Sequence, residues 1–339
     1  MIAETTGDGA YVSQRSIYDE RYQADQYDHR SAVRVLTAER DALAEAMGRA
    51  LKSNPRAARV SLFDFGYGTG RVTNELIERY AQYGASYSDL RVVAYDVSSV
   101  GLRKAQAGLC LAGFEPVEGF SWEPDSTEGY IAGSVYKKEA NLTTTVVFVH
   151  GYEGESPDDM RRLALTANDG DRYLLTTSWY SGLGHVPGED LRRNYFRQLG
   201  ELTHPAGEIV LAMSSTGDLV DLQRDWSEKL ASGTVGDFPI EVHGDVVYST
   251  ELDQSNFYHV FGPDLNDYMQ AVTSAGQYWW VEGIRYPDEE FESWAAEQAN
   301  YKRVLEANDK KRGRAWVAAD FREFHTVAAF RSPMDPVRR

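Results

Sequence analysis

The chain has 339 residues, 42% of them hydrophobic, which suits one large domain with insertions or two modest ones and argues against global disorder. Its formal net charge of −17 repels phosphate backbones and anionic membrane surfaces, so neither nucleic acid nor membrane is expected as a partner. The single cysteine, Cys110, rules out an internal disulfide and no Cys/His spacing suggests a metal site; with no apolar run of about 18 residues and no signal-peptide pattern, a cytoplasmic protein is expected.

Residues 1–15 are small and polar, and they are followed by an aromatic, charged stretch carrying Tyr18, Tyr22 and Tyr27. Ser31 can cap a helix with Val33, Leu36, Leu43, Met47 and Leu51 at helical spacing, ended by Pro55; its Arg34, Arg40 and Arg49 read as a solvated face. Ala58 to Phe65 reads as a buried strand that runs straight into a glycine turn, Gly66-Tyr67-Gly68-Thr69-Gly70, and then a helix with Val72, Leu76, Ile77 and Tyr80 on one side. A second strand, Leu90 to Tyr95, ends at Asp96. Ser98 or Ser99 caps the next helix, Leu102, Ala105, Leu109 and Ala112 face inward, and Gly113 closes it. Residues 114–141 break the rhythm and read as an inserted arm, in outline a hairpin. Then come a strand from Thr143 to His150-Gly151, a helix from Pro157 to Ala167, a strand from Arg172 to Trp179, a helix after Pro187 with Leu191, Tyr195, Phe196 and Leu199, a turn at Pro205-Ala-Gly207, and a strand from Glu208 to Met213.

This alternation of strand and helix predicts a doubly wound α/β fold, a mostly parallel sheet covered by helices on both faces. Beyond Ser215 the pattern loosens. Helices are expected at 217–231, 263–275 and 288–311, a glycine-rich turn at 233–236, a strand or hairpin from Glu241 to Glu251, and terminal strands at Tyr278–Arg285 and Phe324–Phe330.

The segment Asp64 to Gly70 lies between a strand and a helix. Glycines there allow a sharp turn and close approach of a ligand, and the helix behind offers free N–H groups. Asp96, at the tip of the next strand and followed by Val97, can accept hydrogen bonds from ribose hydroxyls, so the two features together describe an adenosine site. The dinucleotide fingerprint wants glycine where Arg71 stands, and a diphosphate would be repelled by Asp64, whereas an amino-acid ammonium would not. The charges favour S-adenosylmethionine over NAD.

At these residues the chain resembles the class I S-adenosylmethionine-dependent methyltransferases, over about residues 58–215 and more faintly to 330. The resemblance implies a seven-stranded Rossmann-like sheet with its last strand antiparallel. Asp64, Gly66, Tyr67, Gly68 and Gly70 would hold the methionine part of the cofactor and Asp96 the ribose. Gly151, Tyr152 and Glu153 would lie around adenine, with Tyr152 where the family often has Asp, so stacking or backbone groups would serve there. Ser178 and Trp179 would line the floor beneath the sulfonium, and an N-terminal aromatic, among them Tyr22, would act as a lid. In this division residues 1–56 form the helical lid, 57–215 the core with its arm at about 114–141, and 216–339 complete the sheet and cap an acceptor pocket.

Methyl transfer needs alignment and exclusion of water, and a base only where the acceptor must lose a proton. His185, beyond the fourth strand, is the first candidate base or acceptor anchor; its other reading is a histidine that orders its own loop. His259, in the aromatic stretch Asn256 to Phe261, is the second, with a satisfied core histidine as its alternative. Cys110 falls on a helix away from the loops, and Trp279 and Trp280 read as core. The expected reaction is methyl transfer to a small-molecule acceptor, with a homodimer left open. An NAD-dependent oxidoreductase and a non-catalytic member of the same fold, kept as a partner protein, stand beside it.

Overall fold

A computed structural model of the chain describes residues 18–19, 22–23, 36–54, 59–74, 76–77, 88–117, 119, 121–123, 126–152, 154–179, 183, 186, 189–214, 234–235, 238–239, 241–243, 246–249, 256–259, 279–287 and 323–331. In chain order these form α1 (Leu36–Ser53), β1 (Arg59–Phe65), β2 (Asp89–Asp96), α2 (Ser99–Leu111), β3 (Glu115–Pro116), β4 (Tyr130–Glu139), β5 (Leu142–His150), α3 (Pro157–Ala167), β6 (Tyr173–Ser178), α4 (Glu189–Leu202) and β7 (Thr203–Ser214). The short strands β8 (Thr234–Val235), β9 (Phe238–Pro239), β10 (Glu241–His243), β11 (Val246–Ser249) and β12 (Asn256–His259) follow, and then β13 (Trp279–Pro287) and β14 (Glu323–Arg331).

The main sheet runs β13-β14-β7-β6-β1-β2-β5-β4-β3. From β7 to β5 every pairing is parallel, whereas β14 lies antiparallel between β7 and β13. Seven strands thus carry the expected topology, with the last in sequence reversed. The arm does not stand apart from this sheet: β4 folds back on β5 through Ala140 and Asn141, and β3 pairs with β4, so the arm lengthens the sheet by two strands at its edge.

Alternation along the central strands divides the core in two. Val60, Leu62, Leu90, Val92, Ala94, Val146 and Phe148 pack beneath α1, α2 and the helical turn that carries Val72, Leu76 and Ile77. Phe63, Phe65, Val93, Tyr95, Val147 and Val149 face α3 and α4. Helix α3 shows why the pattern was readable: Ser156 caps it by accepting from the Asp159 N–H at 3.1 Å, Pro157 opens it, and Met160, Leu163, Ala164 and Ala167 form its buried stripe. Each large side chain so buried contributes about 1.5–3 kcal/mol.

Several local expectations change. Ala112 is exposed, because α2 ends at Leu111 with Ala112 as its cap, and Gly113, with φ of 89°, turns the chain away. Pro205 to Gly207 do not form a separate turn but an irregularity inside β7. The register steps from Tyr173↔Thr203 to Leu175↔Glu208, and a Cβ on Gly207 would stand 2.4 Å from the Leu174 carbonyl oxygen. Arg49 is not on a purely solvated face: its guanidinium bonds Glu208, whose side chain is fully buried, with three N–O separations of 3.0 Å. Within the turn expected at 233–236, Thr234 and Val235 form strand β8, which pairs antiparallel with β9; β10 and β11 also pair antiparallel, and β12 extends them to three strands. The helices expected at 217–231, 263–275 and 288–311 lie outside the described residues, as do Ser31, Val33 and Arg34. No helix among the described residues is long and apolar enough to cross a membrane.

Candidate functional site

Parallel register brings the tips of β1, β2, β5 and β6 to one edge of the sheet. Asp64 lies opposite Ala94 and Thr177, and Asp96 lies opposite His150. By alternation Asp64 and Asp96 share the face that α1 and α2 cover.

The turn after β1 is held from below and shaped by its glycines. Gly66 and Tyr67 both donate their N–H groups to the Tyr95 carbonyl at 2.9 Å. Gly68 and Gly70 adopt φ of 56° and 75°, in the left-handed region, and both are pressed by neighbours. A Cβ on Gly70 would lie 2.6 Å from the Tyr67 ring and 2.7 Å from Asn74 Nδ2; on Gly68 it would lie 2.4 Å from the Tyr22 hydroxyl. Tyr67 folds under the turn, donates to Asn74 Oδ1 at 2.5 Å and meets Phe148 edge-on. Burial, with the charge of Asp64 adding to it, pushes its phenol well above the usual range.

Asp96 ties this turn to the start of α2. One carboxylate oxygen accepts from the Gly68 N–H and the other from the Ser98 N–H, both at 2.7 Å. Burial outweighs these bonds and raises its pKa to about 6; the neighbouring charge of Asp19 adds to the rise. Val97, beside it, offers its carbonyl to His150 Nε2 at 3.1 Å, which pins the tip of β5 to the tip of β2.

Asp64 is buried and engaged from two sides. Thr73 Oγ1 donates to one of its oxygens at 2.5 Å and Thr177 Oγ1 to the other at 2.9 Å. It therefore braces the turn against β6 and contributes its charge from beneath. At the tip of β6 the buried Ser178 Oγ and Trp179 Nε1 find no hydrogen-bond partner among the described residues. These are polar atoms that a ligand seated on this edge could satisfy.

Two acids absent from the sequence reading emerge. Asp19 reaches the first turn of α2, where its Oδ1 accepts from Ser98 Oγ at 2.5 Å and from the Val100 N–H at 3.4 Å. Glu155, before the cap of α3, accepts from the Tyr95 hydroxyl, while burial lifts its pKa to about 7. Its second oxygen is buried without a partner among the described residues, where a Cβ on Gly129 would approach to 2.1 Å. The same Tyr95 hydroxyl explains why position 151 is glycine, since a Cβ there would be 2.2 Å away. Tyr95 belongs to the α3/α4 face, so Glu155 lies across the sheet edge from the Asp64 and Asp96 side. No spacing signalled either acid: Asp19 sits in an ordinary charged stretch, and Glu155 reads as an acid preceding a helix.

Tyr22 is buried over the turn, Gly151 is buried and Tyr152 half-buried. His259 ends β12, opposite Val246. His185, Glu153 and Tyr27 lie outside the described residues.

No family model and no curated protein matches this sequence. Solved structures do. The CcbJ methyltransferase from Streptomyces caelestis is 16% identical, with a TM-score of 0.46 over 95% of this chain and 99% of that one. A S-adenosylmethionine-dependent methyltransferase from Clostridium acetobutylicum is 11% identical, with a TM-score of 0.45 over 92% and 98%. The N-methyltransferase NodS from Bradyrhizobium japonicum, solved with S-adenosyl-L-homocysteine, is 13% identical, with a TM-score of 0.42 over 93% and 100%.

Proposed function

We propose that this chain is a S-adenosylmethionine-dependent methyltransferase that acts on a small-molecule acceptor in the cytoplasm. The observation that carries the reading is the convergence of three carboxylates, Asp64, Asp96 and Asp19, on one glycine turn and the helix start beside it. A diphosphate at that turn would meet negative charge from every side, whereas a ligand with an ammonium, a sulfonium and ribose hydroxyls meets complementary charge and acceptors.

When bound, S-adenosylmethionine supplies a methyl carbon already activated by positive sulfur. Asp96 keeps further acceptor capacity for the ribose hydroxyls, because each of its oxygens accepts one backbone N–H in the structure. The Gly66–Gly70 turn gives close backbone approach for the methionine part. Ser178 Oγ and Trp179 Nε1 are the donors for polar groups at the floor, and Tyr22 covers the edge and excludes water. Gly151, Tyr152 and Glu153 are assigned to adenine. His185 is the first candidate base or acceptor anchor and His259 the second. Residues 216–339 are assigned to the acceptor cap, and the bulk negative charge suits a neutral or cationic acceptor. A homodimer is compatible with this assignment.

Calorimetric titration with S-adenosylhomocysteine and, separately, with NAD tests the proposal. Micromolar binding of the first and none of the second is expected. Binding of NAD alone would replace this function with hydride transfer, and binding of neither would leave the fold as a scaffold.

A further inference from the structure

Resting on the reading of this sheet edge as a nucleoside site, we infer that Glu155 is the positioning residue of its adenine side. It ties β2, the root of the arm and the start of α3 to the loop that carries Gly151 and Tyr152, and it does so as the neutral acid.

Glu155 has only 2% of its surface exposed and is bonded at three points. Its N–H donates to the Tyr152 carbonyl at 3.1 Å and closes the turn behind that residue. Its carbonyl accepts from the Tyr195 hydroxyl of α4 at 2.6 Å. Its Oε2 accepts from the Tyr95 hydroxyl of β2. The carboxyl and the phenol bonded to it leave two neighbours no room for a side chain. A Cβ on Gly129 would stand 2.1 Å from Oε1 and 2.6 Å from Leu163 Cδ1 of α3, and a Cβ on Gly151 would stand 2.2 Å from the Tyr95 hydroxyl. Neither glycine adopts a positive φ, so close approach and not turn geometry accounts for both. The next residue of the arm, Tyr130, lays its ring 5.2 Å from that of His150, which in turn bonds the Val97 carbonyl. The root of the arm is thus seated on the β5 tip twice, through Gly129 on Glu155 and through Tyr130 on His150.

The carboxyl oxygen that faces Gly129 has no hydrogen-bond partner among the described residues. A neutral carboxyl fits that place at modest cost, whereas a carboxylate would leave charge there unpaired. The titratable and charged groups around it are Tyr95 from β2, Tyr195 from α4, Asp159 and Arg162 from α3, and Tyr152, on which Glu128 of the arm acts in turn. Asp159 opposes ionisation and Arg162 and the Tyr95 hydroxyl favour it, but burial outweighs them and raises the pKa from 4.5 to about 7. As the pH climbs from 4.5 towards 7, proton loss therefore favours a carboxyl released to water, and the hold on Gly129, Gly151 and Tyr152 weakens. Above about 7 both states are ionised and nothing further is lost.

Calorimetric affinities for S-adenosylhomocysteine on the full-length chain between pH 5.5 and 8.5 test this, taken as the ratio of the unmodified protein to Glu155→Gln so that the titration of Asp96 cancels. The amide keeps an acceptor for the Tyr95 hydroxyl and carries no charge. The two proteins should bind within about twofold of one another at pH 5.5, and the unmodified one should lose about tenfold against the variant by pH 7 and no more above it. Tyr95→Phe removes the donor that steadies the carboxylate, so its affinity should level off at a higher pH. Glu155→Ala should bind about tenfold more weakly even at pH 5.5, because the carboxyl itself is gone. A second arm needs no ligand. Amide hydrogen exchange over Gly129–Ser134 and Val149–Tyr152 should lose protection in the unmodified chain relative to Glu155→Gln between pH 5.5 and 7, while Leu90–Tyr95 keeps the same relative protection. An affinity ratio that does not change with pH in folded Glu155→Gln would overturn the inference. Failure of the unmodified chain to bind S-adenosylhomocysteine at every pH would overturn the proposed function instead; the exchange arm would then decide for Glu155, and equal protection in the two proteins would overturn its hold on the loop as well.

Discussion

Replacing Asp96 by asparagine separates what this carboxylate does for the fold from what it does for a ligand. In the fold it accepts two buried backbone N–H groups at 2.7 Å. An amide can accept one of them, but its NH2 then faces the other, which costs about 1–3 kcal/mol. Against that, the substitution abolishes a buried charge. A rise from 3.8 to about 6 corresponds to about 3 kcal/mol of ionisation cost at pH 7. The two effects nearly cancel at neutral pH, so the variant should lie within about 2 kcal/mol of the unmodified protein there. Their pH dependences do not cancel. A carboxyl that holds its proton more tightly in the folded state contributes its stability fully below about pH 4 and loses it as the pH rises towards 6. Urea unfolding from pH 4 to 8 should therefore show the variant gaining on the unmodified protein by about 1.4 kcal/mol per pH unit between pH 4 and 6, and no further change above. Calorimetry at pH 7.5 should show S-adenosylhomocysteine bound about 1–3 kcal/mol more weakly, since the charged acceptor for the ribose hydroxyls is gone. Parallel stability curves for the two proteins would refute the burial argument, and equal affinities would remove Asp96 from the site.

Two further changes probe the frame around the site. Arg49→Met leaves Glu208 charged and buried without its guanidinium; because Arg49 is a quarter exposed, the loss should fall near the lower end of about 3–5 kcal/mol, with most of it recovered when Glu208→Met is added, as chemical denaturation of the single and double variants would record. Glu155→Gln keeps an acceptor for the Tyr95 hydroxyl but cannot ionise. The unmodified protein should lose stability as the pH rises from about 4.5 to about 7 whereas the variant should not, leaving the variant about 1–3 kcal/mol more stable at pH 8 by thermal or urea unfolding.

What could be read in advance was what repeats along the chain. β1, β2, β5, β6 and the second half of β7 are rich in apolar and β-branched residues, and their alternation with amphipathic helices predicts a parallel, doubly wound sheet. The glycine turn and Asp96 were legible because strand, turn and acid follow each other at short range. What stayed hidden depends on register between distant segments. Thr73 and Thr177 reach Asp64 across separations of 9 and 113 residues, Asp19 reaches Ser98 across 79, and Arg49 reaches Glu208 across 159. Each of these residues, taken in its own neighbourhood, reads as an ordinary helix or strand position. The arm reads in outline as a hairpin, which β3 and β4 form, and only its attachment to the sheet stayed hidden, for a related reason. Its residues are charged enough to suggest an excursion, yet β4 has only to bury Ala132 and Val135 to join the sheet beside β5, its other side chains staying half-buried or exposed.

The engagement of Asp64 by two threonines bears on how charge would select the ligand in the proposed function. Both oxygens of Asp64 accept hydroxyl donors, one from the helical turn after the glycines and one from β6, which fixes the carboxylate under the turn. Its charge stays close under the turn and is shielded from water, where a field decays less than it would at the surface. Asp96 adds charge from the neighbouring strand tip and Asp19 from beside the first turn of α2. Under the proposed function, selection between an ammonium and a diphosphate would come from the sum of three carboxylates and not from one pairing. It follows that neutralising a single one of them should weaken the discrimination without inverting it, and that Asp64→Asn, which leaves an acceptor for one threonine hydroxyl, should cost stability before it admits a phosphate.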